Sequence, residues 1–159
     1  MSDVVIAGIG QTNVGELYEI SLRDLARQAI LAALADSGGL QPQALFVGNM
    51  LAAAESRQTH LGALIADRVG LSGIEASAVE AGSAGGAAAL RMGYFAVASG
   101  EADVVLVVGV EKYTDQLGPL SEASLMLSAD SDFEAVQGLT PNAQAALLMK
   151  RYLYEYAAP

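Results

Sequence analysis

Residues 76–90 read ASAVEAGSAGGAAAL and join a short apolar run to a run of glycine and alanine. The first part, residues 76–81, has the length and composition of a β-strand. The second part predicts a helix of small side chains over residues 84–99, ended by a glycine. Ser83 stands between the two parts. The stretch therefore predicts a strand that passes directly into a helix, with Ser83 at the amino terminus of that helix.

The same alternation extends in both directions along the chain. Two amphipathic helices are predicted, one after Ser21 as a capping residue and one over residues 61–69, and each is followed by glycine. Parallel strands need helical crossovers, so this order of elements predicts an α/β fold with a mainly parallel sheet. The other predicted strands are residues 3–10 (DVVIAGIG), 44–50 (ALFVGNM) and 103–110 (DVVLVVGV).

The pattern changes after the last of these strands. Residues 116–140 have no clear period, whereas residues 141–156 are helical in pattern and begin with Pro141, a residue favoured in a first turn. We therefore divide the chain into an α/β domain over residues 1–114 and a partial loop region with a terminal helix over residues 115–159.

Composition excludes several functional classes. The 159 residues are 53% hydrophobic and carry a net charge of −10, with scattered Lys and Arg, so a nucleic-acid partner is not expected. The sequence has no cysteine and one histidine, which excludes disulfides, thiolate metal sites and multi-histidine metal sites. It shows neither a signal-peptide pattern nor a long apolar run, which predicts a cytoplasmic protein without a membrane segment.

Several stretches resemble the amino-terminal half of thiolases, above all the lipid-transfer and archaeal acetyl-CoA acetyltransferase type. The resemblance covers the whole chain, including the last helix. The stretches that carry it are residues 5–12 (VIAGIGQT), 47–50 (VGNM), 60–67 (HLGALIAD) with Gly70 and Leu71, 79–91 (VEAGSAGGAAALR) and 107–112 (VVGVEK).

The resemblance implies a fold and a function. The fold is half of a thiolase-like three-layer αβα structure with a mainly parallel mixed sheet and the start of the loop region that covers acyl-CoA; the carboxyl-terminal half is absent. The function is that of an acyltransferase in lipid metabolism, with a coenzyme A thioester as substrate and no tightly bound cofactor. The family also implies a homodimer or hetero-oligomer, in some members with a small OB-fold and zinc-ribbon protein.

Ser83 stands where the family has its nucleophilic cysteine, and the chain ends before the family's histidine-asparagine motif. The resemblance therefore implies that this chain alone is catalytically incomplete and is either a truncated portion or a subunit completed by another chain. One sequence leaves open whether serine replaced cysteine naturally or by design. Two alternatives remain: a non-catalytic module that dimerises and supports a partner protein, and a degenerate member with aldolase-type chemistry.

Ser83 also has two interpretations that need no thioester. Its hydroxyl can simply cap a helix that begins at Ala84. The stretch AGSAG differs by one residue from the G-x-S-x-G elbow of serine hydrolases, but those enzymes need a histidine downstream, and none follows His60.

The remaining candidate site residues each have a structural alternative. His60 is a candidate catalytic group or a partly exposed polar residue at a helix start. Gly85 and Gly86 allow close approach of a coenzyme A arm or of neighbouring backbone. Lys150 and Arg151 are candidates for binding a coenzyme A phosphate or are solvated charges. Residues 111–114 (EKYT) follow a strand at its carboxyl end, where α/β sheets tend to carry sites.

Overall fold

The computed structural model describes residues 3–157 and has an α/β architecture. The chain forms two compact units, and the boundary between them lies between Lys112 and Tyr113. In chain order, the helices and strands are α1 (Leu22–Asp36), β1 (Ala44–Gly48), α2 (Ala52–Glu55), α3 (Leu61–Val69), β2 (Glu75–Val79), α4 (Gly85–Ala98), β3 (Val105–Gly109), α5 (Gly118–Leu125) and α6 (Pro141–Tyr156).

The sheet lies in the first unit and has the order β2-β1-β3, with both pairs parallel. Ala44 at the start of β1 lies opposite Glu75 of β2 and Val105 of β3, so the three strands begin in register. All five residues of β1 are buried, as expected for a central strand covered on both faces. The carboxyl ends of the three strands lie together, and we call this end of the sheet its carboxyl edge.

Helices cover both faces of this sheet. Because side chains alternate along a strand, Leu45 and Val47 of β1 point to one face, where they join the core cluster formed with α1 and α3. Ala44 and Phe46 point to the other face and pack with Ala89 of α4. The unit therefore has three layers, and the predicted α/β class with helices on both faces is confirmed.

Helices α1 and α3 are joined by polar contacts at their surface. Ser21 is the N-cap of α1 and accepts a hydrogen bond from the backbone N–H of Asp24, as predicted. The Ser21 hydroxyl donates to one carboxylate oxygen of Asp24, and Arg68 of α3 pairs with the other at 2.5 Å. The hydrogen bond from Ser21, followed by that from Arg68, holds the pKa of Asp24 below its ordinary value of 3.8.

We expect Asp24→Asn to lower thermal stability near neutral pH but to have less effect in acid. The pKa of Asp24 is depressed in the folded chain, so its ionised form contributes stability above the unfolded pKa, and this contribution is lost as the pH falls through the folded pKa. The measurement is the melting temperature of both proteins from neutral pH down to acid. Asp103→Asn, which removes an exposed carboxylate outside this contact, is the control. A difference between parent and Asp24→Asn that stays constant down to strongly acidic pH would contradict the prediction.

Residues 3–10 do not form the predicted strand, and the described sheet is all parallel rather than mixed. Gly8 and Gly10 lie against the backbone of α1: a Cβ atom at Gly10 would be 2.2 Å from the carbonyl oxygen of Ala29. Val5 and Ile6 are 77% and 75% exposed. The run is apolar enough for a strand, but its glycines pack on the backbone of α1, and the outer edges of β2 and β3 have no partner strand among the described residues.

The second unit is helical. Thr140 is the N-cap of α6 and accepts from the backbone of Ala143, and α6 has the predicted bounds, beginning at Pro141. The region predicted to lack a period contains α5 and two short 3-10 turns, Met126–Ser128 and Ala135–Gln137. Within the described residues, none of the helices combines the length and apolar character that crossing a bilayer requires.

Candidate functional site

A tight turn connects β2 to α4. The backbone N–H of Ala84 donates to the carbonyl of Ala81 at 3.0 Å, and that of Gly85 donates to Gly82 at 3.1 Å. Gly82 has φ +54°, in the left-handed region that favours glycine, so the turn depends on glycine at this position. The turn delays the start of the helix to Gly85, one residue later than predicted.

Ser83 lies in this turn and is exposed, between the end of a strand and the start of a helix as predicted. It does not cap the helix: the N-cap is Ala84, and no side chain makes a cap hydrogen bond there. The helix-capping interpretation was therefore wrong, because the turn already pairs the amides of Ala84 and Gly85 with backbone carbonyls. The hydroxyl of Ser83 is left at the surface beside the helix amino terminus.

The first turn of α4 presents backbone donors. The first bond of the helical ladder joins the N–H of Ala88 to the carbonyl of Ala84 at 2.9 Å. The amides of Gly86 and Ala87 precede that bond and point toward the amino terminus, as in any helix. Both residues are exposed, and the positive end of the helix dipole lies next to Ser83 along the chain, although the nitrogen of Gly86 packs against Gly48 of β1.

Glycines bring the sheet into backbone contact with this first turn. A Cβ atom at Gly48, the last residue of β1, would lie 2.6 Å from the carbonyl oxygen of Gly85 and 2.7 Å from the nitrogen of Gly86. A Cβ at Gly109, the last residue of β3, would lie 3.8 Å from the Cα of Gly86. Gly85 is buried against the sheet, which favours packing for this residue, whereas a Cβ at Gly86 would meet no atom within 4 Å among the described residues.

Glu111 follows β3 at the same edge of the sheet and binds the turn that leaves β1. One carboxylate oxygen accepts from the backbone N–H groups of Met50 and Leu51, both at 2.9 Å. The other accepts from the side-chain amide of Asn49 at 2.8 Å. The sequence placed Glu111 at the carboxyl end of a strand, where α/β sheets tend to carry sites or where it is a solvated charge, but did not indicate its partners, which lie some 60 residues away.

We expect Glu111→Gln to lower the free energy of unfolding by about 1–3 kcal/mol, because hydrogen bonds to a charged acceptor are stronger than neutral ones. The amide of glutamine also turns a donor toward the donors that the carboxylate satisfies. Urea denaturation followed by circular dichroism measures the change. Glu101→Gln, at an exposed position after α4, should change the unfolding free energy by less than about 0.5 kcal/mol. Equal values for the two variants would show that the carboxylate of Glu111 has no special role.

His60 is the N-cap of α3, where it has φ 60° and is exposed. Helix α3 packs on the face of the sheet opposite to α4. Among the described residues, no hydrogen bond joins the imidazole to Ser83, and His60 makes no side-chain capping bond. The structure therefore does not bring the two predicted catalytic residues into hydrogen-bond contact.

Lys112, next to Glu111, points away from solvent. It is 7% exposed, and its ammonium group donates to the carbonyl oxygens of Leu17 at 3.0 Å and Ile20 at 2.5 Å. These bonds fix the segment that precedes α1 to the end of β3. Lys112 is therefore part of the framework of the first unit.

Lys150 and Arg151 lie on α6 in the second unit, and both are exposed. Arg151 forms an ion pair with Glu155 one turn along the helix, and its guanidinium lies 5.7 Å from the centre of the Tyr154 ring. A role of either residue in binding coenzyme A remains a prediction.

Comparisons with known proteins agree on one family. The family model described as the thiolase N-terminal domain matches residues 4–153. Acetyl-CoA acetyltransferases of Methanothermobacter thermautotrophicus and Methanocaldococcus jannaschii are 42% and 43% identical over 98% of this chain. Benzoylsuccinyl-CoA thiolase subunit BbsB of Thauera aromatica is 32% identical, also over 98%.

The match covers only part of each relative. The chain spans 41%, 40% and 39% of the lengths of these three proteins. Among solved structures, 3-oxoacyl-[acyl-carrier-protein] synthase III of Aquifex aeolicus is similar, with a TM-score of 0.54 and 25% identity over 61% of this chain and 32% of that one. This chain therefore belongs to the thiolase family and carries its amino-terminal domain.

Proposed function

We propose that this chain is the amino-terminal part of a thiolase-like acyltransferase and that it binds an acyl-CoA thioester at the amino terminus of α4. The observation that carries the proposal is the turn at residues 81–84, which leaves Ser83 exposed directly before the first turn of α4, whose first amides precede the helical ladder. The turn lies at the carboxyl edge of a parallel sheet, where α/β proteins commonly bind ligands. Relatives named as acetyl-CoA acetyltransferases support the choice of ligand.

The chemistry expected at this turn is polarisation of a thioester carbonyl. When a nucleophile attacks a thioester, negative charge develops on the carbonyl oxygen, and backbone N–H donors stabilise that charge. The amides of Gly86 and Ala87 are the donors of the first helical turn, and the helix dipole adds positive potential at the same place. Both effects act on the substrate whether residue 83 is serine or cysteine.

Covalent acyl transfer also requires that residue 83 lose its proton to act as the nucleophile. A cysteine at a helix amino terminus ionises readily, whereas a serine needs a base within hydrogen-bond reach. Because the chain spans about 40% of its relatives, the base and the rest of the substrate pocket belong to the remaining sequence, supplied by the same polypeptide or by another subunit. The chain with Ser83 accordingly binds and polarises the thioester, and the complete protein breaks or forms the carbon-carbon bond of a 3-oxoacyl thioester.

The family resemblance supports further proposals about the complete protein. The complete protein is a homodimer or hetero-oligomer, with a small OB-fold and zinc-ribbon protein as a candidate partner. It works in the cytoplasm on lipid-derived thioesters. Lys150 and Arg151 are candidates for binding the coenzyme A phosphates. Size-exclusion chromatography with light scattering, alone and with candidate partners, tests the assembly.

The site is tested by placing at residue 83 the thiol that the family resemblance implies. Because the sequence has no cysteine, Ser83→Cys introduces a single thiol. We expect acetyl-CoA to acetylate this thiol while the parent chain stays unmodified, as measured by intact mass and peptide mapping. Ser99→Cys, at the opposite end of the same helix, is the matched control, because the helix dipole there disfavours the thiolate. Acetylation of the two thiols at the same rate would overturn the proposal.

A further inference from the structure

Asn49 connects the ends of all three strands at the edge that carries Ser83. Its backbone N–H donates to the carbonyl of Val79, the last residue of β2, at 3.2 Å. Its side-chain amide donates to the carbonyl of Val110, just after β3, at 2.8 Å, and to Glu111 at the same distance. Its side-chain oxygen accepts from the N–H of Ala52 at 3.0 Å. One residue thus fixes the geometry of this edge.

This edge supports the first turn of α4 directly. A Cβ atom at Gly85 would lie 3.5 Å from the nitrogen of Asn49 and 3.6 Å from the carbonyl oxygen of Val79. The helix therefore begins on the backbone groups of Asn49 and Val79 that a hydrogen bond joins. Since Glu111 binds both the side chain of Asn49 and the next two amides, it holds that backbone in place from the other side.

We propose that Asn49 and Glu111 are positioning residues for position 83: they hold the edge of the sheet on which α4 starts and so set how residue 83 meets the amino terminus of that helix. The inference deepens the proposed function and rests on it for its biological purpose. Neither residue has to touch the acyl group. They keep the side chain of residue 83 at a fixed distance and orientation relative to the backbone N–H groups of the first turn of α4.

A purely structural role makes a different prediction. If the two residues only stabilise the start of α2, their loss lowers stability but leaves the chemistry of residue 83 unchanged in the molecules that remain folded. If they are positioning residues, their loss weakens the interaction between residue 83 and the helix amino terminus. A thiol placed at residue 83 reports that interaction, because its pKa falls when it faces a helix amino terminus.

The test uses Ser83→Cys with iodoacetamide as the probe, and the pH dependence of alkylation gives the pKa of the introduced thiol. We expect this pKa to lie below the ordinary thiol value of about 8.5. Adding Asn49→Ala, which leaves the net charge unchanged, should raise it and slow alkylation near neutral pH by about threefold or more. Adding Glu111→Gln should also raise it, although loss of a nearby negative charge acts in the opposite direction.

Controls separate this inference from simple unfolding and from the proposed function. Ser99→Cys should show the same alkylation profile with and without Asn49→Ala, and circular dichroism confirms that each protein is folded at the assay temperature. An ordinary pKa for the thiol of Ser83→Cys, or a pKa that Asn49→Ala leaves unchanged, overturns the inference. Because the probe contains no coenzyme A, alkylation reports the ionisation of the thiol without requiring that the chain bind acetyl-CoA.

Discussion

Replacing Gly48 by alanine is expected to lower the free energy of unfolding by about 3 kcal/mol, at the upper end of the usual cost of overpacking. The added Cβ would lie 2.6 Å from the carbonyl oxygen of Gly85 and 2.7 Å from the nitrogen of Gly86. Both are backbone atoms, so no side chain can rotate away, and α4 must shift from the sheet. Urea denaturation followed by circular dichroism measures the loss.

The matched control adds the same methyl group on the other side of this contact. A Cβ at Gly86 meets no described atom within 4 Å, and Gly86 does not have a positive φ. Alanine is favoured over glycine within a helix by up to about 1 kcal/mol, so Gly86→Ala should leave stability unchanged or raise it. A Gly48→Ala chain as stable as the parent would show that sheet and helix are not held in backbone contact.

The shift of α4 away from the sheet in Gly48→Ala should also slow acetylation of a cysteine at residue 83.

Local pattern was sufficient to predict the three strands and helices α1, α3 and α4, but not the short helix α2. Helix α3 has the predicted bounds because its apolar residues recur at helical spacing and Gly70 follows. Strand β3 is shorter than predicted because of a contact with a residue elsewhere in the chain. The backbone amides of Asp103 and Val104 bind the side chain of Gln43, at 2.5 and 3.2 Å, so β3 starts only at Val105.

The parts that the sequence did not predict depend on distant contacts. The apolar composition of residues 3–10 indicates a strand, but composition does not show which surface a segment packs on, and this segment packs on α1. The position of Ser83 after a strand was predicted, whereas its failure to cap the helix follows from the turn at Gly82. Glu111 was not recognised as a residue that organises the site, because no local spacing indicates bonds to residues 49–51.

Leu45→Ala is expected to have the largest effect, a loss of about 2–5 kcal/mol in the free energy of unfolding. Leu45 is 0% exposed in the central strand, and it belongs to the cluster that β1 forms with α1 and α3. Alanine leaves a cavity in a close-packed site between a sheet and two helices, so the neighbouring side chains can fill it only partly. Urea denaturation and the melting temperature measure the change.

Leu31→Ala is the control, since Leu31 lies on α1 with 39% of its surface exposed, and its loss should cost much less. Leu45→Ala also tests whether residue 83 responds to any loss of packing in the core. Leu45 points away from α4, so in molecules that remain folded, alkylation of a cysteine at residue 83 should keep the parent's pH dependence, unlike the result expected for Asn49→Ala. If Leu45→Ala instead shifted that dependence as much as Asn49→Ala, control of residue 83 would belong to the core as a whole, because general loosening of the sheet would then be enough to move the start of α4.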